Sequence, residues 1–270
     1  DIGFNYSADI GGTDISPNDG IDELYGGAGD DVLLGGGGDD LMFGEGDQDT
    51  LFGQYGNDYL DGGTEDDHLR GDVKVGALLD DPDNLGHDVL IGGSGDDLLE
   101  GGFGDDVMFG GDDNDILEGD FDLKPEWAGD DHLDGGEGAD QLYGGVGNDN
   151  LIGGAGTDIL EGGQGDDRLA GGAGSDVYVI NADEGNDVLT DRDAGPNSDR
   201  LELGTGMSAL QARLRRSGSD LVLGFADATS TVTLQNYFLS PEYEIEDIAF
   251  ASGVSWAPTL IKTGFSYAPE

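Results

Sequence analysis

Residues 26–34 read GGAGDDVLL, and residues 35–43 continue at once with GGGGDDLMF. Both nine-residue units follow the pattern G-G-x-G-x-D-x-U-x, in which U is a large apolar residue. The register holds from residue 26 to residue 179 in fifteen units, interrupted by insertions of 12 and 7 residues within 72–84 and 120–127. Self-similarity at such a short fixed period indicates a solenoid.

Each position of the unit has a physical role. Glycine supplies the positive φ angles of a tight turn, so the first six residues are predicted to form a turn. The last three are predicted to form a short strand whose position-8 side chain points inward, while positions 7 and 9 point outward. Position 8 is Leu, Met or Tyr throughout the array, whereas position 7 includes His68 and Arg168 and position 9 includes Arg70 and Glu118. This pattern predicts a narrow core made from one apolar row.

Two consecutive units are predicted to make one coil with a strand on each side. Equivalent turns then stack every second unit, which brings Asp31, Asp49 and Asp67 into one column and Asp40 and Asp58 into the other. Stacked carboxylates repel one another, and a hard divalent cation between successive turns would remove that repulsion. Calcium favours roughly six to eight oxygen ligands, including carboxylates and backbone carbonyls.

The position-6 aspartates, together with the backbone carbonyls of the glycine-rich turns, are therefore the candidate calcium ligands. On the order of a dozen calcium ions are expected. The candidate side chains, including those of weaker flanking units, are Asp22, Asp31, Asp40, Asp49, Asp58, Asp67, Asp88, Asp97, Asp106, Asp115, Asp131, Asp140, Asp149, Asp158, Asp167, Asp176 and Asp187.

The composition restricts the possible partners. The chain has 60 acidic and 10 basic residues and a formal net charge of -50. This charge opposes compaction and argues against binding to nucleic acid or to anionic membranes. Such a chain is either disordered or a fold that requires cations, and the regular placement of its apolar residues favours the fold.

Residue types that are missing exclude further classes. The chain has no cysteine, so disulfides, thiol nucleophiles and thiolate metal sites are excluded. No apolar run approaches the length of a membrane span. Neither an H-E-x-x-H zinc motif nor a G-x-S-x-G nucleophile elbow is present, and His68, His87 and His132 lie in different units. We therefore expect no enzymatic activity within this chain.

The composition changes near residue 190. Residues 191–270 hold 11 acidic and 6 basic residues, and strand-like runs occur at 201–203, 220–223 and 230–234. Because a solenoid needs its open end covered, this segment is predicted to be a β-rich cap. The predicted organisation is a lead-in over 1–19, a repeat array over 20–190 and a cap over 191–270.

The nonapeptides resemble those of the RTX (repeats-in-toxin) haemolysin-type calcium-binding family. The segments 174–179, 187–189, 219–223, 235–238 and 245–250 resemble the region that follows such arrays in type I secreted proteins. The resemblance implies an all-β fold, a right-handed parallel β-roll (calcium β-solenoid) with a β-rich C-terminal cap. In that family the turn carbonyls and the position-6 aspartates bind calcium. An uncleaved secretion signal lies at the extreme C-terminus, where this chain has residues 262–270.

Six turns depart from the family pattern, at seven positions in all. A residue other than glycine stands at the second position in four of them and at the fourth position in three. We expect weaker calcium sites there. The residues are Glu45, Gln54, Asp72 and Asp120 at the second position, and Asp47, Glu65 and Asp113 at the fourth.

The resemblance implies a calcium-binding module that folds on extracellular calcium and supports secretion and folding of a larger toxin, adhesin or exoenzyme. The alternative is an adhesive or structural surface module with a ligand contact on the insertion loops. The chain begins at Asp1, and we expect it to be a fragment of a protein secreted by a Gram-negative bacterium. The expected partners are calcium and the type I secretion apparatus, and the expected state is monomeric. Self-cleavage at Asp81-Pro82 is disfavoured, and Trp127 is predicted to anchor a loop.

Overall fold

The computed structural model describes residues 20–72, 86–120, 127–182, 184–192, 197–226 and 229–265. The predicted lead-in, Asp81-Pro82 and most of both insertions lie outside these ranges. Within them the regular secondary structure is nearly all β-strand, and successive strands of the array alternate between two long sheets. The predicted parallel β-roll is confirmed.

One sheet, sheet A, carries the odd-numbered repeat strands and ends in the cap. Its strands, in spatial order, are β1 (Glu23–Ala28), β3 (Leu41–Gly46), β5 (Tyr59–Thr64), β7 (Val89–Ser94), β9 (Val107–Asp112), β11 (His132–Gly138), β13 (Asn150–Gly156), β15 (Arg168–Gly174), β17 (Asn186–Leu189), β21 (Thr231–Leu234), β20 (Asp220–Phe225) and β19 (Ala212–Ser217).

The other sheet, sheet B, is built in the same way. Its strands are β2 (Val32–Gly37), β4 (Thr50–Tyr55), β6 (His68–Asp72), β8 (Leu98–Gly102), β10 (Ile116–Asp120), β12 (Gln141–Val146), β14 (Ile159–Gln164), β16 (Val177–Ile180), β18 (Arg200–Leu203), β22 (Asp247–Phe250) and β23 (Ser255–Trp256).

Parallel pairing keeps equivalent repeat positions in register. Leu33 lies opposite Leu51, which in turn lies opposite Leu69. These position-8 side chains are at most 4% exposed, as the alternation predicted. The core of the roll is thus one row of apolar side chains from each sheet.

The strands are longer than predicted. A typical strand has six residues, and β2 includes positions 7–9 of one unit and positions 1–3 of the next. The pairing therefore continues into the glycines, where Gly36 lies opposite Gln54. The turn proper is only about three residues long, because the backbone of the first three positions still bonds to the neighbouring coil.

The cap continues both sheets. Strand β21 pairs parallel to β17, and β22 pairs parallel to β18. Beyond them the pairing becomes antiparallel, through β20 and β19 in sheet A and through β23 in sheet B. A short 3-10 helix, Pro241–Tyr243, and the helix α1, Pro258–Phe265, complete the cap. This is the predicted β-rich cap.

The second insertion ends at a packed aromatic contact. Trp127 meets Phe103 edge to face, with ring centroids 5.3 Å apart. The backbone N–H of Gly104 also donates a hydrogen bond to the carbonyl of Trp127 at 3.0 Å. These contacts agree with the predicted role of Trp127 as a loop anchor. Within the described ranges, no helix has both the length and the apolar content that crossing a bilayer requires.

Candidate metal centre

The position-6 aspartates form two continuous ladders. In each, Oδ1 of one aspartate accepts a hydrogen bond from the backbone N–H of the equivalent aspartate one coil earlier. The bond from Asp40 to Asp58 is 2.8 Å long, and the bond from Asp49 to Asp67 is also 2.8 Å. The two columns that the 18-residue spacing predicted are therefore present.

The insertions do not break the ladders. Asp58 bonds to Asp88 across the first insertion at 2.7 Å, and Asp106 bonds to Asp131 across the second at 2.8 Å. The column that precedes the sheet A strands contains Asp22, Asp40, Asp58, Asp88, Asp106, Asp131, Asp149, Asp167 and Asp187. The column that precedes the sheet B strands contains Asp31, Asp49, Asp67, Asp97, Asp115, Asp140, Asp158 and Asp176.

The second carboxylate oxygen, Oδ2, is the atom of each rung that could bind a cation. It is buried, and no described group donates a hydrogen bond to it. This holds at Asp49, Asp58, Asp67, Asp88, Asp97, Asp106, Asp115, Asp131, Asp140, Asp149, Asp158, Asp167 and Asp187. Buried anions without a partner are costly, so the repeated orphan oxygen marks a position suited to a cation.

A backbone carbonyl converges with Oδ2 beside the position-1 glycine. A methyl group built on Gly144 would lie 2.4 Å from Oδ2 of Asp149 and 2.5 Å from the carbonyl oxygen of Gly162. The same arrangement recurs at Gly44, with Asp49 and Gly62 at 2.4 and 2.5 Å. The carbonyl in each case comes from the next coil. Carboxylate and carbonyl oxygens that face one small space are the ligand types that calcium prefers, so the donor set fits that ion.

Burial raises the pKa values of these carboxyls. The pKa reaches about 7 at Asp58 and about 8 at Asp115 and Asp149, with desolvation as the main cause. The ladder hydrogen bond lowers each pKa, and the neighbouring aspartates raise it again. Basic side chains do not compensate for these buried carboxyls, because the chain has only 10 Lys and Arg residues against 60 Asp and Glu residues. The carboxylates can all be ionised in the fold at neutral pH only if another positive charge is supplied.

The two ends of the ladders differ from the middle. Asp22 is exposed and Asp31 is half-buried, because no described coil covers the first turns. At the other end, the register places the apolar Val232 one coil beyond Asp187. The sheet B column instead continues into the cap: Asp176 donates its N–H to Asp199, and Asp199 donates its N–H to Glu246.

The departures from the glycine pattern keep the turn geometry. Five of the seven have a positive φ, and the values lie between 72° for Asp47 and 89° for Gln54. The other three are Glu45, Glu65 and Asp113. Stacking between neighbouring coils holds the backbone of these residues at a positive φ, which is strained for residues other than glycine. The turns therefore have the same backbone shape as the glycine turns. Whether their calcium sites are weaker stays a prediction.

The remaining two departures open the insertions. Oδ2 of Asp72 accepts the backbone N–H of Phe103 at 3.0 Å. The carboxylate of Asp120 accepts the N–H groups of Gly129 and Val146 at 3.3 and 3.1 Å. Both side chains therefore bond to a neighbouring strand or turn where the chain leaves the regular coil.

The position-5 side chains of successive coils also form a hydrogen-bonded row, which lies on the surface. The sequence analysis did not predict this row. The side chain of Asn148 donates to Asp130 at 2.9 Å, and that of Asn186 donates to Asp166 at 3.0 Å. Asp166 in turn donates its backbone N–H to Asn148 at 2.9 Å. Neutral side chains between the acids reduce the repulsion along this row. The alternation of Asp and Asn every second unit is the signal that could have revealed it.

The three histidines have different contacts. His68 contacts Glu100 at 2.9 Å, His132 contacts Asn150 at 2.7 Å, and His87 contacts the backbone of Asp105 at 3.2 Å. Each contact joins neighbouring coils on a different part of the surface. The described residues therefore do not bring the histidines together.

The repeats match the family model of RTX calcium-binding nonapeptide repeats over residues 17–51, 52–73, 83–117, 128–151 and 143–178, which is more than half of the chain. The chain belongs to this RTX family. Calcium binding by the repeats is the family property, and the two ladders supply matching donors. The cap of the RTX chain matches the haemolysin-type calcium binding protein related domain over residues 220–259.

A solved structure similar to the RTX chain is the extracellular lipase LipA from Serratia marcescens. The identity is 21%, the TM-score is 0.28, and the match covers 70% of this chain. The RTX chain spans 38% of the length of that lipase. None of the curated proteins matches the RTX chain.

Proposed function

We propose that this RTX chain is the calcium-dependent folding module of a larger protein exported by type I secretion. The buried Oδ2 oxygens of the two ladders carry this proposal. A column of such oxygens at neutral pH needs cations between the coils, and each bound calcium would favour the folded state by mass action. Each coil would therefore depend on calcium for its place in the roll.

The expected affinity provides a switch. Extracellular calcium modules bind at about 10⁻⁴–10⁻³ M, far above cytosolic calcium. Inside the cell the repeats would stay an extended polyanion, suited to export as an unfolded chain. Outside, calcium would fold the array and keep it folded. A toxic, adhesive or enzymatic activity would then belong to other parts of the larger protein.

The ladders also suggest how many ions are bound. Most spaces between two rungs of a column have orphan oxygens and turn carbonyls, and the two columns together provide on the order of a dozen spaces. The position-6 aspartates from Asp22 to Asp187 are the proposed ligands. Asp22 and Asp31 would bind least tightly, because their turns are covered on one side only among the described residues.

The test is a calcium titration of the chelator-treated chain followed by far-UV circular dichroism. We expect a cooperative change from coil to β structure, complete near millimolar calcium and absent with magnesium, which accepts all-protein oxygen cages reluctantly. Equilibrium dialysis with radioactive calcium on the same samples would give the number of ions. Full β structure in the presence of chelator, with no calcium retained, would reject the proposal.

A further inference from the structure

Three buried carboxylates converge where the last repeat coil meets the cap. They belong to Asp176, Asp191 and Asp199, and one oxygen from each lies within 4.8 Å of the others. We refer to these three residues as the junction cluster. Asp176 is the last position-6 aspartate of the regular array, whereas Asp191 and Asp199 were not among the predicted ligands.

The register explains how the cluster arises. Leu189 lies opposite Leu169 at position 8, so Asp191 occupies position 1 of the following turn, where the array has glycine. Leu201 lies opposite Tyr178, so Asp199 occupies position 6 of the same turn. In the array, a methyl group at position 1 would collide with the position-6 carboxylate. At the junction, the side chain of Asp191 stands at this position instead of a glycine.

The burial of the Asp191 side chain is a second observation that indicates a bound cation. This side chain is only 3% exposed, and no described N–H or hydroxyl group donates a hydrogen bond to either of its oxygens, so its nearest polar partner is the carboxyl of Asp199. By contrast, both oxygens of Asp199 are occupied, by the backbone N–H of Asp176 at 3.0 Å and the amide of Asn197 at 2.5 Å. A buried carboxylate that faces two others is costly to ionise unless a cation lies among them, and without the cation it must keep a proton.

A fourth oxygen lies at the same place. A methyl group built on Gly171 would be 2.3 Å from Oδ2 of Asp176 and 2.6 Å from the hydroxyl of Tyr178. Tyr178 replaces the usual leucine of position 8 and is fully buried. Burial and then the charge of Asp191 raise the pKa of this phenol, which keeps it neutral. The neutral hydroxyl adds a polar group to an otherwise apolar row.

We propose that Asp176, Asp191 and Asp199 form a separate calcium site that fastens the cap to the last repeat coil. The site rests on the proposed calcium binding of the chain, but it differs from the array sites in its ligands. Three carboxylates surround it, with Glu246 close behind, since the Glu246 side chain accepts the backbone N–H of Asp199 at 2.9 Å. Affinity for calcium rises with the number of charged ligands, so this site fills before the array.

The position of the site determines where folding of the array begins. Ionised Asp191 and Asp199 repel each other until calcium binds, and both lie in the segment between β17 and β18. Calcium at the junction would hold Asp191 and Asp199 beside Asp176 and let β18 and β22 pair. The last coil would then be ready as a template on which the remaining coils stack. Folding of the array would therefore begin at the cap end.

The test compares Asp191→Asn with Asp158→Asn, a matched change at a fully buried rung of the same column, one coil from Asp176. Both changes remove one charge and keep the side-chain shape. Radioactive-calcium dialysis at limiting calcium measures the tightest bound ion. Emission of Trp256, which packs against Phe250 in the cap, reports cap assembly in a Trp127→Phe background.

We expect the wild-type chain to bind one ion at least about tenfold more tightly than the rest. Asp191→Asn should lose that ion and raise the calcium midpoint of the Trp256 signal by a similar factor. Asp158→Asn should keep the ion and move the midpoint less than about twofold. Circular dichroism at saturating calcium checks that both variants fold.

Two results would overturn the junction site. One is a wild-type chain whose ions all bind with the affinity of the array. The other is an equal shift of the Trp256 midpoint in both variants. A wild-type chain that binds no calcium would instead reject the proposed function, so the two failures are distinguishable.

Discussion

The repeat array and the cap are continuous in both sheets but manage their acidic residues in different ways. In the array, most position-6 carboxylates are buried beside one another, and thirteen of their second oxygens receive no hydrogen bond from a described group. In the cap, acids meet basic groups: Arg200 bonds to Asp247 at 2.9 Å, and Lys262 pairs with Glu244. The cap therefore neutralises part of its acidic charge within its own sequence, whereas the array needs charges from solution.

The two regions also differ in their cores. The array has one position-8 row from each sheet, and each side chain in it touches its neighbours in the coils above and below. The cap adds side chains from several directions, among them Tyr237, Ile245 and Ile261 around β20 and β21. Chain connectivity and antiparallel pairing give the cap more local contacts. It should therefore depend less on calcium than the array does.

The largest effect is expected from a methyl group inside the stack. Gly156→Ala would place its Cβ 1.3 Å from the carbonyl oxygen of Gly138, at a φ of 154°. The backbone at Gly138 cannot move away without separating two coils, so we expect this variant not to form the roll even with calcium present. Thermal unfolding followed by circular dichroism would show this as a missing transition. The matched control is Gly29→Ala, also at position 4, where nothing lies within 4 Å of the Cβ. It should cost only about 1 kcal/mol. Similar losses from both changes would contradict the close stacking of the coils.

Removing a core side chain should affect both regions when calcium is present. Leu151→Ala in the array and Leu221→Ala in the cap each empty a fully buried site, and each should lower the free energy of unfolding by about 2–5 kcal/mol. Denaturant unfolding in saturating calcium measures this. With chelator, only the cap change should stay visible. An array variant that still destabilises the calcium-free chain would show that the array core forms without the ion.

The array carboxylates should respond to acid with a definite sign. Their folded pKa values, about 7 at Asp58 and about 8 at Asp149, lie above the unfolded value of about 4. The calcium-free fold is therefore favoured at low pH, and it loses that stability as the pH rises from the unfolded pKa of about 4 through the folded values of about 7 and about 8. In chelator, circular dichroism should show more β structure at pH 5 than at pH 8.

With calcium present the dependence should reverse, because protons compete with the ion. Acidification should then raise the calcium concentration needed for folding. A calcium-free signal that does not change between pH 5 and pH 8 would mean that the carboxyls are not buried as the structure has them.

The smallest effect is expected at a surface ion pair of the cap. Asp247→Asn breaks the bond to Arg200, and both side chains are partly exposed. Such pairs contribute about 0–1 kcal/mol, so the unfolding midpoint should hardly move and the calcium midpoint should stay unchanged. Asp149→Asn is the comparison in the array, since it removes a ladder carboxylate at a 0% exposed position. It should raise the calcium midpoint. Equal calcium midpoints for the two variants would erase the distinction between the regions.

The sequence predicted the roll because its signal is periodic. One apolar residue every nine positions determined the inward row, and pairing two units per coil placed Asp31 above Asp49 and Asp40 above Asp58. The strand ends were harder to predict, because a glycine such as Gly36 has no side chain to reveal that its backbone continues the sheet. Local turn propensity and pairing between coils compete there, and the pairing determines the strand length.

The junction was beyond the sequence pattern for another reason. Asp199 stands before Arg200-Leu201, a weak copy of the repeat, and could have been added to the ligands on that signal. Asp191 occupies a glycine position in a turn of irregular length. Only the pairing of β17 with β15 and of β18 with β16 shows that it meets Asp176 and Asp199.

Hydrogen exchange followed by mass spectrometry, with and without calcium, tests most directly whether calcium holds the array together. With calcium, amides in the array strands from β1 to β16 should be protected to a similar extent as those of β20 and β21. After chelation at pH 7.5, protection of the array should be lost, while the antiparallel pair of β20 and β21 should keep a measurable part. Array amides that stay protected without calcium would contradict the account, since the buried ladders would then be stable without the cations that their orphan oxygens require.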